Sequence, residues 1–158
     1  MNKDQLYKLL DESPNPLIFD GAMGTMLHTH GESFEGCLDC LNIDDPAVVA
    51  EIHRDYIEAG SQIILTNTFG ANRFKLAEHG LEDRLEEINQ AGVALAKKVI
   101  EASFKPVLIA GDVGPLGVRL APFGRVSREE AIAAFAEQIK VLADSGADLI
   151  LIETISDL

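Results

Sequence analysis

The segment Leu17-Ile-Phe-Asp-Gly-Ala-Met-Gly-Thr25 decides how the rest of the sequence is interpreted. It opens with an apolar run, Leu17 to Phe19, which ends at a carboxylate, Asp20, and is followed by Gly21 and Gly24. Such a run is typical of a buried strand, and the glycines give the backbone freedom to turn after it. We therefore predict a strand over 17–20 that carries Asp20 at its carboxyl end.

The same pattern of an apolar run ending in polar residues recurs three times downstream. We predict further strands over 62–66, 107–110 and 148–152, and they end near the polar residues Thr66-Asn67-Thr68, Asp112 and Glu153. Helical patterns lie between the strands, over 45–60, over 83–103 and from Ser127 to Gly146. Strands that alternate with helices predict an α/β fold with a parallel sheet and right-handed crossovers.

Two architectures fit four strand–helix units. One is an open doubly wound sheet, and the other is the N-terminal half of a (β/α)8 TIM barrel. An open sheet concentrates its site at one switch point, whereas every strand in this sequence ends in polar residues. The pattern therefore favours the half-barrel, with residues 1–158 forming one partial barrel domain that stops after strand four.

The segments between the strands carry further predictions. Residues 2–12 form a short amphipathic helix, 21–44 a long irregular loop, and 71–78 a short helix. Ser127-Arg-Glu-Glu130 matches a helix capping box. Gly92 is predicted to mark a close approach of the 83–103 helix to its neighbour, and the last helix is expected to bury Ile132, Phe135, Ile139 and Leu142.

Composition excludes several classes of function. The net charge of −13 argues against nucleic acid and anionic membrane surfaces as partners. No apolar run approaches the roughly 20 residues of a membrane-spanning helix, and no secretory signal is visible. With only two cysteines, Cys37 and Cys40, the chain is not a disulfide scaffold. Together these features predict a cytoplasmic protein.

The four polar strand ends predict a ligand site. Carboxylates at the ends of buried strands are costly unless they are paired or solvated, so Asp20 and Glu153 could hold a substrate ammonium. The alternative for each acid is that it caps the following helix. Taken together, the convergence favours a ligand site, with Asp20 and Glu153 as its main candidates.

Other chemistry-bearing residues give weaker patterns. His28 and His30 could join Cys37 and Cys40 in a zinc site, but the spacing is unconventional, and we favour a loop without metal. We expect surface or packing roles for His53 and His79. Arg119 and Arg125 could attract an anion or simply be solvated. The segment from Gly111 to Gly117 lacks a nucleotide-binding pattern and is interpreted as a tight turn near a ligand.

Four motifs resemble one known family. These are Asp20-Gly-Ala-Met-Gly-Thr-Met-Leu27, Thr66-Asn-Thr-Phe-Gly-Ala-Asn-Arg-Phe-Lys-Leu76, Gly114-Pro-Leu-Gly117 and Leu151-Ile-Glu-Thr154. In order and spacing they resemble the homocysteine S-methyltransferase family. The detail is most similar to the N-terminal domain of bifunctional homocysteine S-methyltransferase/methylenetetrahydrofolate reductases, and cobalamin-dependent methionine synthases carry a similar domain.

The resemblance implies a (β/α)8 barrel and an enzyme of one-carbon metabolism and methionine biosynthesis. Members transfer a methyl group to the sulfur of homocysteine, which zinc bound by three cysteines activates as a thiolate. By matching motifs, Asp20 and Glu153 would face the homocysteine ammonium, Gly21 would allow close approach, and Thr66 and Asn67 would line the pocket. The methyl donor is left open among folate, S-adenosylmethionine and S-methylmethionine.

The sequence also departs from the family pattern. The family's zinc cysteines lie in G-x-N-C and G-G-C-C segments, which the resemblance places beyond Leu158, so no metal ligand and no catalytic residue is assigned here. We therefore expect the isolated chain to be an inactive fragment. The alternatives are a non-catalytic amino-acid-binding half-barrel, which self-associates or pairs with a complementary half, and an unrelated doubly wound protein. Turnover by the chain alone would contradict the expected inactivity.

Overall fold

The computed structural model describes residues 3–33 and 35–156 of the chain. Within them, seven α-helices and three β-strands follow one another in the α/β order that the sequence predicts. The helices are α1 (Lys3–Glu12), α2 (Met23–Thr29), α3 (Leu41–Asp44), α4 (Pro46–Ala59), α5 (Arg73–Ala77), α6 (Leu85–Ser103) and α7 (Arg128–Asp144). The strands are β1 (Ile63–Leu65), β2 (Leu108–Val113) and β3 (Leu149–Ile152).

The three strands form one parallel sheet in the order β1-β2-β3. Leu65 pairs with Ala110, and Val113 pairs with Ile152, so the carboxyl ends of all three strands lie at one edge of the sheet. Parallel neighbours that follow in chain order require a crossover helix each, and α6 and α7 supply them. This arrangement brings the polar strand ends to one side of the molecule, as the sequence predicts.

The predicted first strand is shorter than expected. Residues 17–20 form only a single parallel bridge, from Phe19 to Ile63, although the Ile63 amide donates to Ile18 at 3.1 Å and the Asp20 amide donates to Ile63 at 3.0 Å. The side chain of Ile18 is 59% exposed. The segment therefore lies at the edge of the sheet beside β1, with a pairing partner on one side, and regular pairing does not extend along it.

The helices α4, α6 and α7 pack side by side and supply most of the apolar core. One cluster joins Ile57 of α4 and Val99 of α6 to Ile64 and Ile109 in the sheet, and another joins α6 and α7 to Val113. Gly92 is the predicted point of close approach, because a Cβ atom there would lie 2.8 Å from Thr68 Cγ2. The capping box at Ser127 and Glu130 is also confirmed.

Three predictions about local structure were wrong. The tight turn predicted from Gly111 begins later, because β2 continues through Val113. The segment 21–44 is not an irregular loop, since it contains α2, the 3-10 turn Leu38–Cys40 and α3, all too short to show a sustained helical period. Ile132 is 57% exposed rather than buried. Leu142 is fully buried, as predicted. The other buried residues of α7 are Ala131, Ala134 and Gln138.

Candidate functional site

A cleft of about 510 Å³ lies at the carboxyl ends of the strands. Thr66, Asn67, Asp112 and Glu153 contribute side chains to it from the ends of β1, β2 and β3. The remaining walls come from the start of α2, from the 3-10 turn Leu38–Cys40 with the residue before it, and from the segment between Phe69 and His79. In open parallel sheets and barrels alike, this end of the strands is where ligands bind.

Asp20 lies beside this cleft rather than in its lining. Its Oδ2 atom accepts a hydrogen bond from the Leu65 amide at 2.9 Å, while its buried Oδ1 atom accepts none from any described residue. Burial raises the pKa of Asp20 to about 7, and the charge of Glu153 adds to the rise, although the bond from Leu65 opposes it. The charge of Glu153 thus acts on Asp20, and a shared contact of the two acids with a substrate ammonium stays a prediction.

Asp112 is a third acid in the same region as the two main candidates, Asp20 and Glu153. It is buried, and its Oδ1 atom has no hydrogen-bond donor among the described residues. Burial, together with the charges of Glu153, Asp39 and Asp20, raises the pKa of Asp112 to about 8. Three carboxyl groups, from Asp20, Asp112 and Glu153, therefore share a region where negative charge is poorly compensated.

Thr66 and Asn67 line the cleft but also hold its walls together. The Thr66 hydroxyl accepts from the Asp112 amide at 3.1 Å and shares a 2.6 Å hydrogen bond with the Thr68 hydroxyl. The Asn67 side chain donates to the Leu38 carbonyl at 2.8 Å, and the Asn67 carbonyl accepts from Asn42 at 2.7 Å. These bonds fix the end of β1 against β2 and against the Leu38–Cys40 turn.

Gly21 contacts a side chain behind the cleft. A Cβ atom on Gly21 would lie 2.9 Å from the hydroxyl oxygen of Tyr56 on α4. The absence of a side chain therefore lets the backbone after Asp20 pack closely against α4. Whether a ligand also approaches Gly21, as the resemblance implies, stays a prediction.

The cleft lining also includes Asp39, Lys75 and His79, none of which the sequence pattern pointed to as a site residue. Asp39 is buried, its Oδ1 atom accepts from the Gly70 amide at 2.8 Å, and burial raises its pKa to about 6. The charges of Lys75 and His79 lower the pKa of Asp39 in part. The Lys75 ammonium lies 4.6 Å from the centre of the Phe69 ring. No local motif marks Asp39, because its role depends on a contact 31 residues away.

The remaining candidates from the sequence lie away from the acids. His28 and His30 are exposed and do not line the cleft, and His53 is fully buried in α4, where burial lowers its pKa to about 4. His53 thus packs as a neutral ring. Arg119 and Arg125 are both exposed outside the cleft, and Arg119 lines a separate groove with Phe123 and Ile155.

A zinc site needs several His, Cys, Asp or Glu side chains grouped around one point. Within residues 3–33 and 35–156, no three side chains of His, Cys, Asp or Glu are grouped so that they could hold a metal ion. Cys37 and Cys40 approach each other, yet a third ligand does not join them. The described residues therefore do not fit the three-thiolate zinc centre that the resemblance implies.

None of the described helices is long and apolar enough to cross a membrane.

Comparison with known proteins decides the family. The homocysteine S-methyltransferase family model matches residues 17–158. The chain belongs to this family. Two relatives are the methionine synthases of Mycobacterium tuberculosis (strain ATCC 25618 / H37Rv), 36% identical over 155 residues, and of Mycobacterium leprae (strain TN), 34% identical over 151 residues. These alignments cover 92% and 90% of this chain but only 13% and 12% of the relatives.

Solved structures give the same answer for the fold. The homocysteine methyltransferase MmuM from Escherichia coli superposes in its oxidized form with a TM-score of 0.82 and 31% identity. Its metallated form gives 0.81 and 31%. The match covers 96% of this chain and 57% of the oxidized MmuM chain, so this chain spans less than two thirds of that protein as well.

Proposed function

We propose that this chain provides the amino-acid-binding part of a homocysteine S-methyltransferase, an enzyme that transfers a methyl group to the homocysteine sulfur and forms methionine. One observation carries the proposal. Two buried carboxylate oxygens, Asp20 Oδ1 and Asp112 Oδ1, lack a donor among the described residues and lie in the electrostatic field of Glu153.

An α-ammonium group matches this arrangement. It carries a positive charge and donates up to three hydrogen bonds, whereas unpartnered buried acceptors and clustered negative charges both disfavour the empty cleft. In this proposal Asp20 and Asp112 accept hydrogen bonds from the ammonium, and Glu153 adds a compensating charge. Thr66 and Asn67 keep the two strand ends in register, so the acids converge on one point.

The titration of these acids is part of the proposed binding. With pKa values of about 7 and about 8, Asp20 and Asp112 are both partly protonated in the empty cleft near neutral pH. A bound ammonium favours their charged forms, so the two carboxyl groups lose protons as the ligand enters. Binding is therefore coupled to proton release from this chain's own residues.

The chemistry at the sulfur lies outside what the described residues supply. Because they do not fit a three-thiolate zinc centre, the proposal assigns this chain amino-acid recognition and no step at the metal. It follows that the chain alone does not methylate homocysteine. The identity of the methyl donor remains open among folate, S-adenosylmethionine and S-methylmethionine.

We further propose that the sheet is half of a (β/α)8 barrel, completed by further strands from the same or another polypeptide. The regular parallel order β1-β2-β3 and the superposition on MmuM support this. So do the exposed apolar side chains at its two edges, since Ile18 is 59% and Ile152 is 56% exposed. A non-catalytic homocysteine-binding half-barrel with a partner is the alternative, and it makes the same prediction for ligand binding.

Calorimetric titration tests the recognition step. Methionine and homocysteine should bind, whereas 4-sulfanylbutanoic acid, which lacks the ammonium, should bind roughly tenfold more weakly or not at all. Asp112→Asn and Glu153→Gln should each weaken binding of the amino acids. Each should also reduce the difference in affinity between ligands with and without the ammonium group. Asp55→Asn, at an exposed position of α4, is the matched control. Equal affinity for ligands with and without the ammonium would overturn the proposal.

Methyl-transfer assays test whether the chain alone is inactive and whether a second polypeptide completes the enzyme. With each of the three donors, zinc and homocysteine, this chain alone should form no methionine. Addition of a polypeptide that carries the remaining family segments should restore turnover if the chain is a catalytic half. Homocysteine binding without turnover in this mixture would favour the non-catalytic alternative.

A further inference from the structure

Cys37 and Cys40 form a close pair of thiols that the proposed function does not use. The Cys40 thiol donates to the Cys37 sulfur with an Sγ–Sγ distance of 2.9 Å, and the Cys40 amide donates to the Cys37 carbonyl at 3.1 Å. Cys37 is half-buried and lines the cleft, whereas Cys40 is buried behind it. One thiol is thus accessible from the cleft, and the other lies directly behind it.

We propose that Cys37 and Cys40 are an oxidisable dithiol, which low-molecular-weight disulfides convert into an intramolecular disulfide at the wall of the cleft. The Cys37 thiolate attacks one sulfur of the small disulfide, the small S–S bond breaks, and one small thiol leaves. The Cys40 thiolate then attacks Cys37 Sγ and releases the second small thiol. Two protein thiols are oxidised and one small disulfide is reduced to two thiols, so the electrons balance.

The geometry favours the intramolecular product. A disulfide bond is about 2.05 Å long, so the two sulfurs need to approach by less than about 1 Å. Both lie on one turn of backbone, and the chain has no other cysteine to compete. Among the described residues the pair has no third metal-ligating neighbour that would hold it as a metal site.

Burial sets the conditions under which this reaction runs. It raises the pKa of both thiols, and the charge of Asp39 adds to the rise. The hydrogen bond between the thiols raises the pKa of Cys40 further but lowers that of Cys37. Because the thiolate is the attacking species, the exchange is slow at neutral pH and accelerates as the pH rises. Cys37 remains the first thiol to react, since only Cys37 lines the cleft.

Oxidation of the dithiol should alter the contacts at the end of β1. The turn between the two cysteines is tied to the end of β1, because Leu38 accepts from the Asn67 side chain at 2.8 Å and Asp39 accepts from the Gly70 amide at 2.8 Å. A contraction of this turn shifts the acceptors of both bonds. The redox state of the dithiol therefore changes the protection of backbone amides between residues 66 and 70.

Mass spectrometry of the purified protein tests the oxidation. The protein is equilibrated above pH 8 in glutathione buffers with an increasing fraction of glutathione disulfide. Free thiols are then alkylated, and the mass of the intact protein is measured. We expect an unalkylated species that is lighter by two hydrogens. Cys40→Ser should instead accumulate one bound glutathione, and Cys37→Ser should take up little. Two alkylated thiols at every buffer ratio, or equal uptake by both variants, would overturn the proposal.

Hydrogen exchange tests the coupling without any substrate. Exchange of amides in 66–70 should differ between the reduced and oxidised proteins, while amides in the middle of α6 stay unchanged. The double variant Cys37→Ser/Cys40→Ser should show no response to the same buffers. If a disulfide forms but exchange in 66–70 is identical in both states, the coupling to the cleft is refuted.

Discussion

The buried side chain of Gln138 donates a hydrogen bond to the carbonyl oxygen of Thr68 at 2.8 Å, which joins the middle of α7 to a strand end 70 residues earlier. The same amide approaches Asn89 Oδ1 at 3.3 Å, and Asn89 donates to the Ala71 carbonyl at 2.8 Å. Two helices on the sheet thus reach through the core to hold the segment that forms a wall of the cleft.

Replacement of Gln138 should loosen this wall. Gln138→Leu keeps the approximate volume but leaves the Thr68 carbonyl without this donor, so we expect a loss of about 1–3 kcal/mol in the free energy of unfolding. Urea denaturation measures the loss, and exchange of amides in 66–71 should become faster. Gln90→Leu, at an exposed site on α6, is the control and should change stability by less than about 0.5 kcal/mol. Equal effects of the two variants would contradict a specific role for Gln138.

Asp112 should make the protein less stable as the pH rises. Its pKa is about 8 in the folded protein and 3.8 for an ordinary aspartate side chain, so between these values the folded state binds the additional proton. Stability therefore decreases from about pH 4 to pH 8, because the unfolded state binds fewer protons. Asp20, with a pKa of about 7, contributes in the same direction up to that pH.

Asp112→Asn removes the ionisation and should flatten this dependence. A pKa difference of about four units corresponds to about 1.4 kcal/mol per unit, so at pH 8 the variant should be more stable than the parent protein by roughly 5 kcal/mol. The two should converge near pH 4. Thermal unfolding across the pH range measures the difference. Asp55→Asn should leave the slope unchanged. If the variant keeps the full dependence of stability on pH, ionisation of Asp112 is not its cause.

Methionine binding should release protons. The ligand ammonium is charged below pH 8, and its binding favours the ionised forms of Asp20 and Asp112, whose pKa values are about 7 and about 8. Affinity should therefore fall as the pH is lowered from 8 to 6. Calorimetry at one pH in buffers of different ionisation enthalpy gives the number of protons released. Affinity that is constant over this range would contradict ligand contact with these acids.

The sequence was sufficient to predict the parts of the fold that depend on local patterns. The apolar runs at β1, β2 and β3 predicted the strands, and the polar residues after them predicted which side of the sheet carries the cleft. The capping box at Ser127 and the period of α6 were equally local signals. Each of these features is encoded within one helix or strand, which is why it can be recognised without the structure.

The errors concern features that depend on distant neighbours. Ile132 has the spacing of a core residue but is exposed, whereas Gln138 is buried because its amide finds partners on Thr68 and Asn89. Asp39 belongs to the cleft through its bond with Gly70. Residues 17–20 form one bridge to Ile63 instead of a regularly paired strand. None of these contacts can be predicted from the neighbouring residues in the sequence.

Gly92 offers a test of the packing between α6 and the end of β1. In a helix interior, Gly→Ala is favourable by about 1 kcal/mol from propensity alone. Here the added Cβ atom would lie 2.8 Å from Thr68 Cγ2 and 2.9 Å from Asn42 Nδ2, both in the core, and overpacking of this kind costs about 1–3 kcal/mol. Gly92→Ala should therefore destabilise the protein. Thr68→Ser removes only the Cγ2 methyl and keeps the hydroxyl that bonds Thr66 and the Asp112 carbonyl. In a double-mutant cycle by urea denaturation, Thr68→Ser should recover part of the loss, whereas strictly additive effects would show that the methyl group is not the obstacle.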